Sequence, residues 1–138
     1  MTSVADLGSP PSPNGKEVLV PVTRAAWRQW LAGNHERPVG VWVVHRKKHS
    51  SLEGPLYEEL VEEALCFGWI DAVTRRIDDD RMLQWFSPRR KGGTWSDSNK
   101  ERIKRLRRDG LMTAAGQRVI DEAKRDGSWR GEMSANRS

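Results

Sequence analysis

At 138 residues the chain is of a length for one compact core, and 36% hydrophobic against 31% charged residues, with a mean hydropathy of −0.76, describe a water-soluble globular protein. No run approaches the ~18 apolar residues of a membrane span, the best being residues 39–44, so no integral membrane association is expected. A net charge of +5 permits an anionic partner, a lone Cys66 excludes an internal disulfide, and the absence of an apolar leader in residues 1–16 points to the cytoplasm.

Residues 1–15 hold three prolines among Ser and Gly and are expected to be a disordered tail, as are residues 130–138. That leaves 16–129 as a single domain. Residues 17–21 (EVLVP) read as a short strand that Pro21 stops or keeps at an edge. Thr23 offers an N-cap for a helix with Trp27, Trp30 and Leu31 on one face, ended by Gly33-Asn34. Residues 39–45 are apolar on both alternating sets, the pattern of a central strand. Tyr57, Leu60, Val61, Ala64 and Leu65 form a helical stripe, with Glu58, Glu59, Glu62 and Glu63 on the other face. Gly68 suits a left-handed cap, after which Trp69 launches a strand that turns at Asp78-Asp79-Asp80 and returns through residues 82–87 as a hairpin. A basic loop, residues 88–93, leads to a helix capped by Ser96 or Ser98, and Thr113 starts a last helix closed by Gly127. The order β-α-β-α-β-β-α-α predicts an α+β fold with a small, mainly antiparallel sheet and about four helices.

Charge is segregated along this order. Residues 53–71 carry six acids and no Lys or Arg, whereas residues 75–108 carry twelve Lys/Arg against five acids. A basic helix holding Arg105 and Arg107 after a basic loop could track nucleic-acid phosphates, or it could be a solvated face neutralised by the acidic helix 57–67. That acidic helix could alternatively serve a protein partner. Of the seven tryptophans, Trp85 and Trp95 flank the basic loop and are the pair placed to stack on a ligand. His45 and His49 are spaced i, i+4, but the intervening Arg46, Lys47 and Lys48 would repel a cation. Cys66 has apolar sequence neighbours and reads as inert packing. Asp71, in an otherwise apolar stretch, must pair with a cation such as Arg75, Arg89 or Arg90, or act as an acid or base, a role His35 could share. No Walker loop, dinucleotide fingerprint, nucleophile elbow or Cys/His metal spacing occurs, so no catalytic residue, metal or cofactor is assigned.

The residues of 64–71 (ALCFGWID), Phe86-Ser87-Pro88-Arg89-Arg90, Thr94-Trp95-Ser96-Asp97-Ser98-Asn99 and Asp109-Gly110-Leu111-Met112, in this order, resemble the YdeI/OmpD-associated family of bacterial proteins. The resemblance implies protection against bacteriocins or cationic antimicrobial peptides. For a basic chain, an intracellular stress role fits better than direct sequestration of cationic peptides. The matching positions also converge. Pairing across the Asp78 turn brings Asp71 near Arg89, and Ser96 and Asn99 open the basic helix, whose N-terminal amides favour an anion. The expected site is therefore a hollow lined by Trp69, Asp71, Phe86, Arg89, Arg90, Trp95, Ser96 and Asn99, with Arg105 on the adjoining helix, in a non-enzymatic module that binds a small anionic ligand or nucleic acid.

Overall fold

The apolar run at residues 39–45 forms an interior strand, β2 (Val41–Arg46), flanked on both sides. A two-residue β1 (Val18–Leu19) pairs with it in parallel, Val18 opposite Trp42. On its other side β4 (Arg81–Pro88) runs antiparallel, with Trp42 opposite Trp85, and β3 (Trp69–Arg76) pairs antiparallel with β4 to form the edge. The register slips between Asp71 and Thr74, a bulge in that edge strand. The computed structural model describes residues 1–131. Four helices complete the expected order: α1 (Arg24–Asn34), α2 (Tyr57–Leu65), α3 (Asp97–Arg108) and α4 (Ala114–Asp126). The fold is α+β with a mixed four-stranded sheet. Among the described residues no helix is long and apolar enough to cross a membrane.

Alternation along β2 divides the apolar residues between two clusters. Val41 and Val43 join Trp27, Leu31, Leu60, Trp69 and Phe86 beneath the helices. Trp42 and Val44 join Leu83 and Val4 on the opposite side of the sheet. Two indoles of the helix-side cluster carry their N–H groups to backbone acceptors: Trp27 Nε1 donates to the Leu60 carbonyl at 2.9 Å, and Trp69 Nε1 to that of His35 at 2.9 Å. Thr23 and Ser96 cap α1 and α3 with their hydroxyls, so Ser96 and not Ser98 begins the basic helix. Gly68, at φ +78, turns the chain from α2 into β3, where a Cβ would come within 2.6 Å of Val119 on α4.

Val4 lies in the second cluster, fully buried, and this departs from the expected tail over residues 1–15. Residues 2–4 exchange backbone hydrogen bonds with Glu53. The cause is legible in Arg81, only 3% exposed, whose guanidinium donates to the carbonyls of Val4, Leu7 and Gly8 at 3.0–3.2 Å while Asp78 neutralises it. A buried guanidinium needs acceptors for its donors, and the N-terminal segment supplies three. Of the other expected tail, residues 132–138 lie outside the described residues.

The acidic helix is clamped from both sides. Glu63, 4% exposed, accepts from Arg24 at 2.6 Å and from Arg28 at 2.8 Å, both on α1. Arg28 also donates to the Leu111 carbonyl beyond α3 at 2.9 Å. From α3, Arg102 grips Glu58 through two hydrogen bonds of 2.8 Å, and Arg105 reaches Glu62 at 3.1 Å. Removing the acid leaves Arg28 without a carboxylate while Arg24 keeps Glu62 at 3.0 Å, so Glu63→Gln is expected to cost about 2 kcal/mol, read as a lowered urea midpoint with an unchanged slope.

His45, 6% exposed on β2, has no partner for Nε2 among the described residues, and burial holds its pKa below the ordinary 6.5. The unfolded chain therefore takes up the proton more readily than the native state. This stability is fully present above about pH 6.5 and is lost as pH falls through and below that value. The melting temperature is expected to drop between about pH 7.5 and about pH 5, with a shallower decline in His45→Phe.

Candidate functional site

The hairpin, the basic loop and the start of α3 enclose a hollow of about 740 Å³ at the outer edge of the sheet. Its position follows from local geometry. Gly68 reverses the chain into β3, and the backbone N–H of Arg89 at the end of β4 donates to the Gly68 carbonyl at 3.0 Å, closing the hairpin's open end. The loop then folds on itself through a hydrogen bond from Gly93 N–H to the Arg90 carbonyl, with Gly92 at φ +76, and delivers the chain to Ser96. Asp71, Arg89, Arg90, Ser96 and Asn99 all line the result, joined by Trp85, Ser87 and Thr94.

Arg89 dominates the electrostatics. Its guanidinium lies 3.6 Å above the ring of Trp95 and donates to the Thr94 carbonyl at 2.7 Å. Burial pushes its pKa down to about 10 against the opposing pull of the Asp71 charge. A guanidinium in this condition gains from a further anion, because added negative charge offsets the desolvation of the cationic form. Arg90 is exposed at the rim. Ser96 brings a hydroxyl, and Asn99 has its side-chain oxygen engaged by Arg102 at 2.8 Å, which leaves its NH₂ as a donor.

Asp71 is already satisfied. One carboxylate oxygen accepts from the Tyr57 hydroxyl at 2.8 Å and from Gln84 Nε2 at 3.2 Å, and Gln84 in turn accepts from Thr74 at 2.6 Å. The Tyr57 phenol is pushed up to about 12, by burial first and by Asp71 second. Asp71 thus ties the lining of the hollow to Tyr57 and Gln84 behind it.

Four expected lining residues lie elsewhere. Trp69 and Phe86 are 1% and 0% exposed in the helix-side core, because their positions along the strands face the helices. Trp95 is buried beneath Arg89 and packs on Trp129 at 5.0 Å, so it supports the cation and presents no free face. Arg105 stands with Glu58 and Glu62, spent on the acidic helix. His35 lies outside the hollow, with Nδ1 3.2 Å from the Leu31 carbonyl and its ring against Phe67. Cys66 is buried with its thiol pushed up to about 11, unsuited to nucleophilic chemistry. Tyr57 went unrecognised in sequence because its place at the head of the apolar stripe gave it a packing role. The available signal was its hydroxyl, which must find an acceptor when half-buried.

An α+β fold with a cationic hollow at its sheet edge is the class these features define. The chain belongs to the family described as a domain of unknown function, DUF8412, whose model matches residues 19–119. No curated protein and no solved structure matches it.

Because the chain has one tyrosine, its ionisation can be followed at 295 nm without ambiguity. Asp71→Asn removes the negative charge beside the phenol, and the Tyr57 titration is expected to move to lower pH, toward its ordinary value of 10.0.

Proposed function

We propose that this protein is a non-enzymatic binding module whose edge hollow receives a small organic anion. Following the resemblance of its motifs to the YdeI/OmpD-associated family, it acts in the cytoplasm in stress or antimicrobial resistance. Arg89 carries the reading. Among the described residues it makes no ion pair, yet it is held flat on Trp95 and aimed at a space lined by further donors on Ser96 and Asn99. A cation so fixed has lost little freedom left to lose on binding. The volume suits a ligand larger than a bare phosphate.

Internal neutralisation favours this over the rival readings. Arg102 and Arg105 are bound to Glu58 and Glu62, which removes the centre of the basic helix as a phosphate-tracking stripe. The same pairs engage Glu58 and Glu62, two of the acids that a protein partner would use on α2. Asp71, doubly hydrogen-bonded, is poorly placed to exchange a proton with a substrate.

The test titrates phenyl phosphate and inorganic phosphate into isotopically labelled protein, following the Arg89 side-chain N–H and the amides of residues 96–99. Saturable shifts are expected with phenyl phosphate, and Arg89→Gln is expected to weaken binding by about tenfold or more. Arg107→Gln, on the exposed side of α3, is expected to leave it unchanged. No shift by about 10 mM ligand, or equal losses in the two variants, would overturn the reading.

A further inference from the structure

A second hollow, of about 760 Å³, lies where the helical cover ends. Here α2 begins at Tyr57, and the helix-facing ends of β2 and β4 run on past it, with His45 opposite Met82 in register. Leu56, Tyr57, His45 and Met82 make an apolar wall, the Tyr57 and His45 rings 5.9 Å apart. Among the described residues the buried His45 Nε2 in that wall has no hydrogen-bond partner.

The rim is cationic, with the Lys48 charge acting on Glu58 only at long range. Lys47 and Lys48 border the space, and among the described residues neither ammonium group makes a hydrogen bond or ion pair. Arg76 pairs with Asp79 at 2.6 Å, but both side chains are more than half exposed, so water screens the pair. Arg46 is turned away onto the Gly54 and Ser50 carbonyls. The single carboxylate at the rim, Glu58, is held by Arg102 through both oxygens. An apolar wall under lysines that make no direct ion pair among the described residues matches one class of molecule: an anion attached to a flat or extended apolar body.

We infer that this hollow is a binding site for an amphipathic organic anion, an aromatic or alkyl carboxylate or sulfonate, with its charged group on Lys47 and Lys48 and its body against Met82, Leu56 and Tyr57. The site is separate from the edge hollow, Tyr57 standing between them with its ring in one wall and its hydroxyl on Asp71 of the other. It requires no anion at Arg89, and stands or falls independently of that reading.

The probe is 8-anilinonaphthalene-1-sulfonate, compared with N-phenyl-1-naphthylamine, which has the same body and no charge. Binding is followed by fluorescence and by the ¹³C-methyl signals of Met82 and of Met112, a residue packed against the helix-side core. The sulfonate is expected to bind saturably, one per chain, shifting the Met82 methyl and leaving that of Met112 in place. The double variant Lys47→Gln/Lys48→Gln is expected to weaken the sulfonate by about tenfold and to leave the neutral probe within about twofold. Arg89→Gln is expected to leave both unaffected. An unmoved Met82 methyl, equal losses for the two probes in the lysine variant, or loss of the sulfonate in Arg89→Gln would each overturn the inference.

Discussion

The arrangement of the helices turns on one buried carboxylate. Glu63 sits at the seam of α1 and α2 with a guanidinium on each oxygen, and the cost of desolvating three ionic groups is met only because those contacts are short and Arg28 carries a further hydrogen bond to Leu111. That last bond reaches the turn between α3 and α4, so a single acid couples three parts of the helical layer. Glu58 and Glu62 repeat the arrangement on the side of α3. A helix this acidic would repel itself if left bare. Arginines from two neighbours make it the electrostatic centre of the fold.

This also explains what becomes of the segregated charge. The acidic and basic stretches follow one another along the chain and fold against each other, so that part of what looks like a polyanion beside a polycation is internal pairing, Glu58 with Arg102 and Glu62 with Arg105. Among the cations that make no ion pair within the described residues are Arg89 and Arg90 at the edge hollow and Lys47 and Lys48 at the other. Function follows from the remainder after internal neutralisation, and the total of +5 understates how locally that remainder is placed.

The element order was legible because its signals are local: the Thr23, Ser96 and Thr113 caps, the Gly68 and Gly127 stops, the Asp78 turn and the doubly apolar β2. Register across the hairpin was legible too, and it brought Asp71, Arg89, Arg90, Ser96 and Asn99 to one place. The depth of each side chain was not: Trp69 and Asp71 stand two apart on one side of β3, yet Trp69 is closed into the core while Asp71 meets the Tyr57 hydroxyl at the start of α2. Long-range pairing was equally hidden. Nothing near Arg81 announces that its acceptors lie at Val4, Leu7 and Gly8, and nothing near Glu58 names Arg102.

The bulge between Asp71 and Thr74 bears on how the protein behaves among its own copies. β3 is a sheet margin with one row of backbone groups unmatched, and a smoothly pleated margin would template another strand and roof over the space beside Arg89. The broken pleat, with Arg75 and Arg76 exposed just beyond it, denies a straight docking rail to a neighbour at high concentration. The same irregularity thus guards the mouth of the hollow against strand-by-strand self-association.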